Sequence, residues 1–177
     1  MASPGYLTSG RRTGLAGVIE RFVTLWAVGG GLVLLAVVAM NVVSIVGAAF
    51  GSPFPGDFEM TEVGVAVAAF SFLPYCQMSG ANVTADIFTS GASPRVIATT
   101  RCVASLVALL FSALLLWRMS LGMIDQKTYG YTTAILQFPT WQAFVPILAS
   151  LALLLLAAMT TLLEDLRLVS TGSRSHG

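Results

Sequence analysis

The chain has 177 residues, of which 56% are hydrophobic and 10% charged, with nine Lys/Arg against eight Asp/Glu. A soluble domain carries about 25% charged residues, so a soluble enzyme domain is excluded. The near-neutral balance also leaves no basic stripe for nucleic acid. Mean hydropathy is +0.84, and the charges cluster between long apolar runs. This is the pattern of an all-α integral membrane protein.

A bilayer core about 30 Å thick needs about 20 helical residues. The first uncharged run, Phe22 to Phe50, is 29 residues long, or about 43 Å as a helix. It predicts a span over 22–47 that ends near Gly47 or protrudes. A cleaved signal peptide has an apolar core of only about 7–15 residues, so this run reads as a membrane anchor. Glu20 and Arg21 stand just ahead of it. Inside it, Ala27 and Gly31 lie four apart and invite another helix to approach closely, with a flexible point as the alternative. Asn41 is expected to face protein rather than lipid.

The second run predicts a span over 63–85, kinked at Pro74, which removes one backbone donor. Its end is polar: Gln77, Ser79, Asn82, Thr84 and Asp86. Ser79, Asn82 and Asp86 share one helical face. Oxygen ligands there would suit a hard cation, and an interfacial helix end explains the same residues. Asn82-Val83-Thr84 matches a glycosylation sequon, but it falls on the predicted cytoplasmic side.

The third run is broken. Cys102 to Trp117 is 16 residues, about 24 Å, which falls short of a span. Admitting Arg118 and continuing toward Met123 gives a span over 101–123. An arginine at this depth faces protein, water or a partner, or snorkels to the surface. The fourth span is placed over 139–163, with Pro139 suited to a helix start. Trp141 fits the aromatic belt at the outer face.

The basic residues orient these four spans. Arg11, Arg12, Arg21, Arg95, Arg101, Arg167 and Arg174 fall on one side, against Arg118 and Lys127 on the other. The positive-inside rule then places both termini in the cytoplasm. Glu20 and Arg21 would lie beside Glu164, Asp165 and Arg167, where cross-pairing could clamp spans one and four, weakly.

No catalytic chemistry emerges. Cys76 and Cys102 form no CxxC pair and read as buried free thiols. The single histidine, His176, stands in a Ser/Gly-rich tail, so paired-histidine haem ligation within the chain is excluded. HExxH, GxSxG and Walker sequences do not occur. No span holds broken half-helices around a midplane carboxylate, as many transporters do. The reading is a compact four-helix membrane unit that works as a subunit, with no cofactor.

Four segments together carry a resemblance. They are Glu20-Arg21 before the first span, Ala81-Asn82-Val83-Thr84-Ala85-Asp86, Pro94-Arg95 leading through Arg101, and Leu136-Gln137-Phe138-Pro139-Thr140-Trp141 followed by Val145-Pro146. In this order and spacing, the chain from about Leu15 to Arg167 resembles the DctQ-like small membrane subunit of tripartite ATP-independent periplasmic (TRAP) transporters. Asn82 stands where family members often have histidine. The resemblance implies residence in the bacterial inner membrane beside a large permease subunit, which carries the substrate and sodium sites. It implies a periplasmic solute-binding protein that delivers a substrate, often an organic acid. The small subunit would brace the scaffold of the large one and help dock the binding protein. Glu20, Arg21, Gly31, Asp86, Arg95, Arg101, Arg118 and Trp141 are the expected interface or structural residues, with Asp86, Arg95 and Arg101 as a cytoplasmic anchoring cluster.

Two other classes fit the frame less well. One is the small subunit of a tripartite tricarboxylate transporter. The other is a small four-helix membrane enzyme, such as a quinone-linked thiol oxidase or a glutathione-linked transferase. The oxidase would need paired cysteines in an outer loop, where this chain has none.

Overall fold

A computed structural model describes residues 15–79 and 94–172. The described elements are four α-helices: α1 (Leu15–Ala49), α2 (Asp57–Ser79), α3 (Pro94–Thr128) and α4 (Trp141–Gly172). The expected all-α class holds. α1 and α3 are longer than their uncharged runs because charge marks where a helix leaves lipid, whereas backbone hydrogen bonding continues beyond it.

Each boundary has a local cause. At the end of α1, the Ser52 amide bonds the Gly47 carbonyl and the Gly51 amide bonds that of Ala48. Gly51 has φ +77°. This is a Schellman stop, in which glycine takes the left-handed conformation without a Cβ penalty. It falls two residues after the expected Gly47. The α2 helix starts at Asp57 rather than Val63, because Asp57 and Glu59 in its first turn suit the positive helix end. Pro94 opens α3 at the position where its missing N–H costs nothing. Arg95 and Arg101 therefore both lie on helix. α3 runs unbroken through Arg118 to Thr128, so the short third run is completed as the sequence required. Pro139 sits two residues ahead of α4 rather than within it. Pro74 and Pro146 are inside α2 and α4.

The packing is more open than the compact bundle expected. α2 and α4 lie against each other in the middle, with α1 on α2 and α3 on α4. α1 touches α4 only briefly, and among the described residues α3 touches neither α1 nor α2. The interior is thin and built from small residues, including Ala27, Ala68, Ala157, Ala158, Ser71 and Ser150. Val23, Met78 and Ala157 form a cluster with Ile19 and Leu153 packed on it. Small side chains bring helix backbones close, which matters where lipid supplies no hydrophobic drive between helices.

The outward faces of α1 and α3 are strongly apolar, with Leu25, Leu32, Leu35 and Ile45 on α1 and Val107, Leu110, Phe111 and Trp117 on α3 all exposed. Three described helices are long and apolar enough to cross a membrane: Gly17–Ala49, Cys102–Thr128 and Trp141–Leu166. α2 is not among them. It carries Glu59, Glu62, Pro74 and Gln77, which dilute its apolar stretch.

Candidate partner-binding surfaces and the family of the chain

The α1–α2 seam is a ladder with one constant antiparallel register. The Ser44 hydroxyl donates to Asp57 Oδ2. The Asn41 amide donates to Thr61 Oγ1 at 2.8 Å and to the Val37 carbonyl at 2.9 Å. Val37 then fills the space beside Gly64, and Gly30 meets Ser71. Val23 and Met78 close the ladder. Along α2 the residues Asp57, Thr61, Gly64, Ala68 and Ser71 alternate steps of four and three, the spacing of a left-handed helix pair. Asn41 thus faces protein, as the sequence suggested.

Gly30, not Gly31, is the point of close approach. A Cβ at Gly30 would lie 2.6 Å from Ser71 Cβ, whereas one at Gly31 meets nothing within 4 Å. Gly31 is therefore open to whatever lies outside the chain.

Near this contact three helices share hydrogen bonds. Trp26 Nε1 on α1 donates to Ser150 Oγ on α4 at 2.9 Å. Ser150 donates to the Pro146 carbonyl one turn back. Ser71 on α2 lies 3.5 Å from Ser150, and donates to the Val67 carbonyl at 2.8 Å. Ser71 is 3% and Ser150 1% exposed. Each buried hydroxyl is satisfied, which a low-dielectric interior demands. Farther along the α2–α4 contact, Gln77 donates to Thr161 Oγ1 at 3.2 Å.

The opposite end is capped by the segment between α3 and α4. Thr132 and Pro139 form an antiparallel bridge. The Thr140 amide bonds the Tyr131 carbonyl. Gln137 sits at φ 53°, an unusual left-handed conformation for a residue with a side chain. Glu59 on α2 grips this segment, with Oε1 accepting from the Ile135 amide at 2.7 Å and Oε2 from the Leu136 amide at 3.1 Å. Burial alone would raise the Glu59 carboxyl. Hydrogen bonds from the backbone at Ile135, Leu136 and Ala134 and from the Thr133 side chain outweigh it and hold the pKa below its ordinary value. Leu136 lies over Gly56, whose φ is +77° and whose added Cβ would stand 2.5 Å from Leu136 Cγ. Phe58 and Ile135 stay 79% and 62% exposed around this cap.

The expected site residues that are described are scattered along the helices. Glu20 is half-buried and Arg21 exposed near the start of α1. Asp86 and its polar neighbours Asn82 and Thr84 lie outside the described residues. Arg95 and Arg101 lie in the first turns of α3. Asp165, expected to clamp toward α1, accepts a hydrogen bond from Ser105 on α3. Arg118 is exposed on α3. Trp141 is half-buried at the start of α4, with Lys127 Nζ 5.3 Å from its ring centroid, a cation–π contact. Cys76 and Cys102 are free thiols. Sequence reading missed the Gly30–Ser71 contact, the Trp26–Ser150 bond and the Glu59 grip. The three–four spacing of small and polar residues along α2 was the available signal for the first.

These surfaces present helix seams and lipid-like faces, and they fit a membrane subunit. The family model described as "Tripartite ATP-independent periplasmic transporters, DctQ component" matches residues 34–168. The chain belongs to the DctQ family. No curated protein and no solved structure matches it. The match begins inside α1 and ends within α4, so it takes in all of α2 and α3. A DctQ component is part of a transporter and not an enzyme. In TRAP systems it works with a large permease and a periplasmic binding protein. The chain is a membrane-embedded small permease subunit of this kind.

Proposed function

We propose that this DctQ protein braces the scaffold of the large permease in a sodium-coupled system that takes up an organic acid or related solute. In this reading α1 to α4 all cross the bacterial inner membrane, and both termini lie in the cytoplasm. The cap formed by residues 129–140 and Glu59 then faces the periplasm, where it would help dock the solute-binding protein. Glu20, Arg21, Gly31, Asp86, Arg95, Arg101, Arg118 and Trp141 serve the subunit interface or the helix frame, and no transport site is housed here.

The carrying observation is the open packing of a DctQ-family chain. α1 and α3 each contact their neighbours along one side and leave broad apolar faces outward. Such faces suit both lipid and a larger membrane partner. The α2 helix crosses with its flanking helices beside it, so its polar residues pair within protein.

Co-expression with the large permease tests the assembly. The tagged small subunit should retain the large one through purification. Reconstituted vesicles should take up substrate only with both subunits, the binding protein and a sodium gradient. Uptake by the small subunit alone would refute the bracing role. Reporter fusions at Pro55, Ser93, Thr132 and Ser173 should read outside, inside, outside and inside, and a periplasmic reporter at Ser173 would overturn the four-span arrangement.

A further inference from the structure

We infer that Arg118 marks the face of α3 covered by a membrane helix of the large permease, and that this helix presents a carboxylate to it. The inference rests on the small-subunit reading above and adds the face and the chemistry of the contact. α3 packs on α4 alone among the described helices, so most of its circumference faces outward. Phe111, Leu114 and Leu121 are exposed at positions seven and four before Arg118 and three after it. They share its side of the helix. Within this apolar stripe Arg118 is exposed and has no hydrogen-bond or ion-pair partner among the described residues. Asp125 lies on the same stripe but seven residues away, about 10 Å along the axis.

Depth makes the unpaired charge informative. Arg101 and Asp125 flank the apolar part of α3, and a core of about 30 Å fits between them. Centred there, the core edge falls near Met123, so the Arg118 backbone lies about 7 Å inside. A guanidinium in hydrocarbon requires an anionic or carbonyl partner. A lipid phosphate at the nearer edge is one source. To reach it, the side chain would run toward the C-terminal end of α3. Helical side chains are launched toward the N-terminal end, which here is deeper into the bilayer. A partner at Arg118's own depth fits that direction, and a carboxylate matches the guanidinium in charge and fork geometry.

The test uses the full chain co-expressed with the large permease, comparing wild type with Arg118→Leu and Arg118→Lys. Retention of the large permease is titrated in maltoside detergent before and after lipid stripping verified by phosphorus assay. Isolated subunits are melted in parallel. The expected result is roughly tenfold or more weaker retention for Arg118→Leu and partial rescue by Arg118→Lys. The loss should persist after stripping, with subunit melting unchanged. Equal retention of wild type and Arg118→Leu would overturn the inference alone. So would a difference that vanishes with the lipid, which assigns the charge to phosphate, or one matched by a destabilised subunit. If the wild-type chain itself fails to retain the permease, the small-subunit reading falls, and this inference with it.

Discussion

Gly30→Ala should loosen the α1–α2 pair, while Gly31→Ala should not. The new methyl at position 30 would stand 2.6 Å from Ser71 Cβ and 3.4 Å from the Ala68 carbonyl oxygen, where ordinary contact begins at 3.4 Å. Ser71 Cβ is fixed to its own backbone, so the helices must part by roughly 1 Å, because close-packed interiors have little slack. Overpacking of this kind costs about 1–3 kcal/mol. Both substitutions also gain about 1 kcal/mol of helix propensity, which cancels in the comparison. The difference between the two variants therefore isolates the clash. Trp26 lies one turn from Gly30, and its bond to Ser150 should stretch as α1 moves away. Unfolding of the purified subunit in detergent, followed by tryptophan fluorescence, measures the difference. Equal stability of the two variants, or a less stable Gly31→Ala, would refute the assignment of the close approach to Gly30.

Ser150→Ala should destabilise by about 1–3 kcal/mol by leaving the Trp26 indole N–H without its acceptor; a double-mutant cycle with Trp26→Phe should show coupling, and strict additivity would contradict the bond. Glu59 has a folded-state pKa lowered from 4.5, so its contribution is present above that pH and is lost as pH falls through the folded value. Hydrogen exchange at the Ile135 and Leu136 amides should accordingly quicken below about pH 4.5, and Glu59→Gln should show faster exchange already at neutral pH. Exchange independent of pH in the wild type, once intrinsic rates are divided out, would dismiss the grip.

Apolar runs and charge clusters in the sequence established the membrane class and the approximate places of the four described helices. These properties are local: a charge inside lipid is costly wherever the chain later travels. Capping signals are local too. Gly51 closes α1 and Asp57 opens α2 at positions a sequence rule can find. The expected span starting at Val63 instead followed the last acidic residue, which marks a membrane edge and not a helix start.

The DctQ family assignment was likewise readable, because its motifs are short and ordered along the chain. Only tertiary structure decided which glycine receives a neighbour. Ala27–Gly31 and Ala27–Gly30 are both acceptable same-face pairs by spacing alone. Gly30 and Gly31 point about 100° apart around the axis, and the rotation of α1 against α2 selects the first. The Glu59 grip joins residues 76 and 77 positions apart, and the Trp26–Ser150 bond spans 124. Such contacts depend on the rotation and register of whole helices, which the periodicity of one segment does not contain. Among the described helices the same packing left α3 beside α4 alone, so the exposure of Arg118 is a property of the assembled fold.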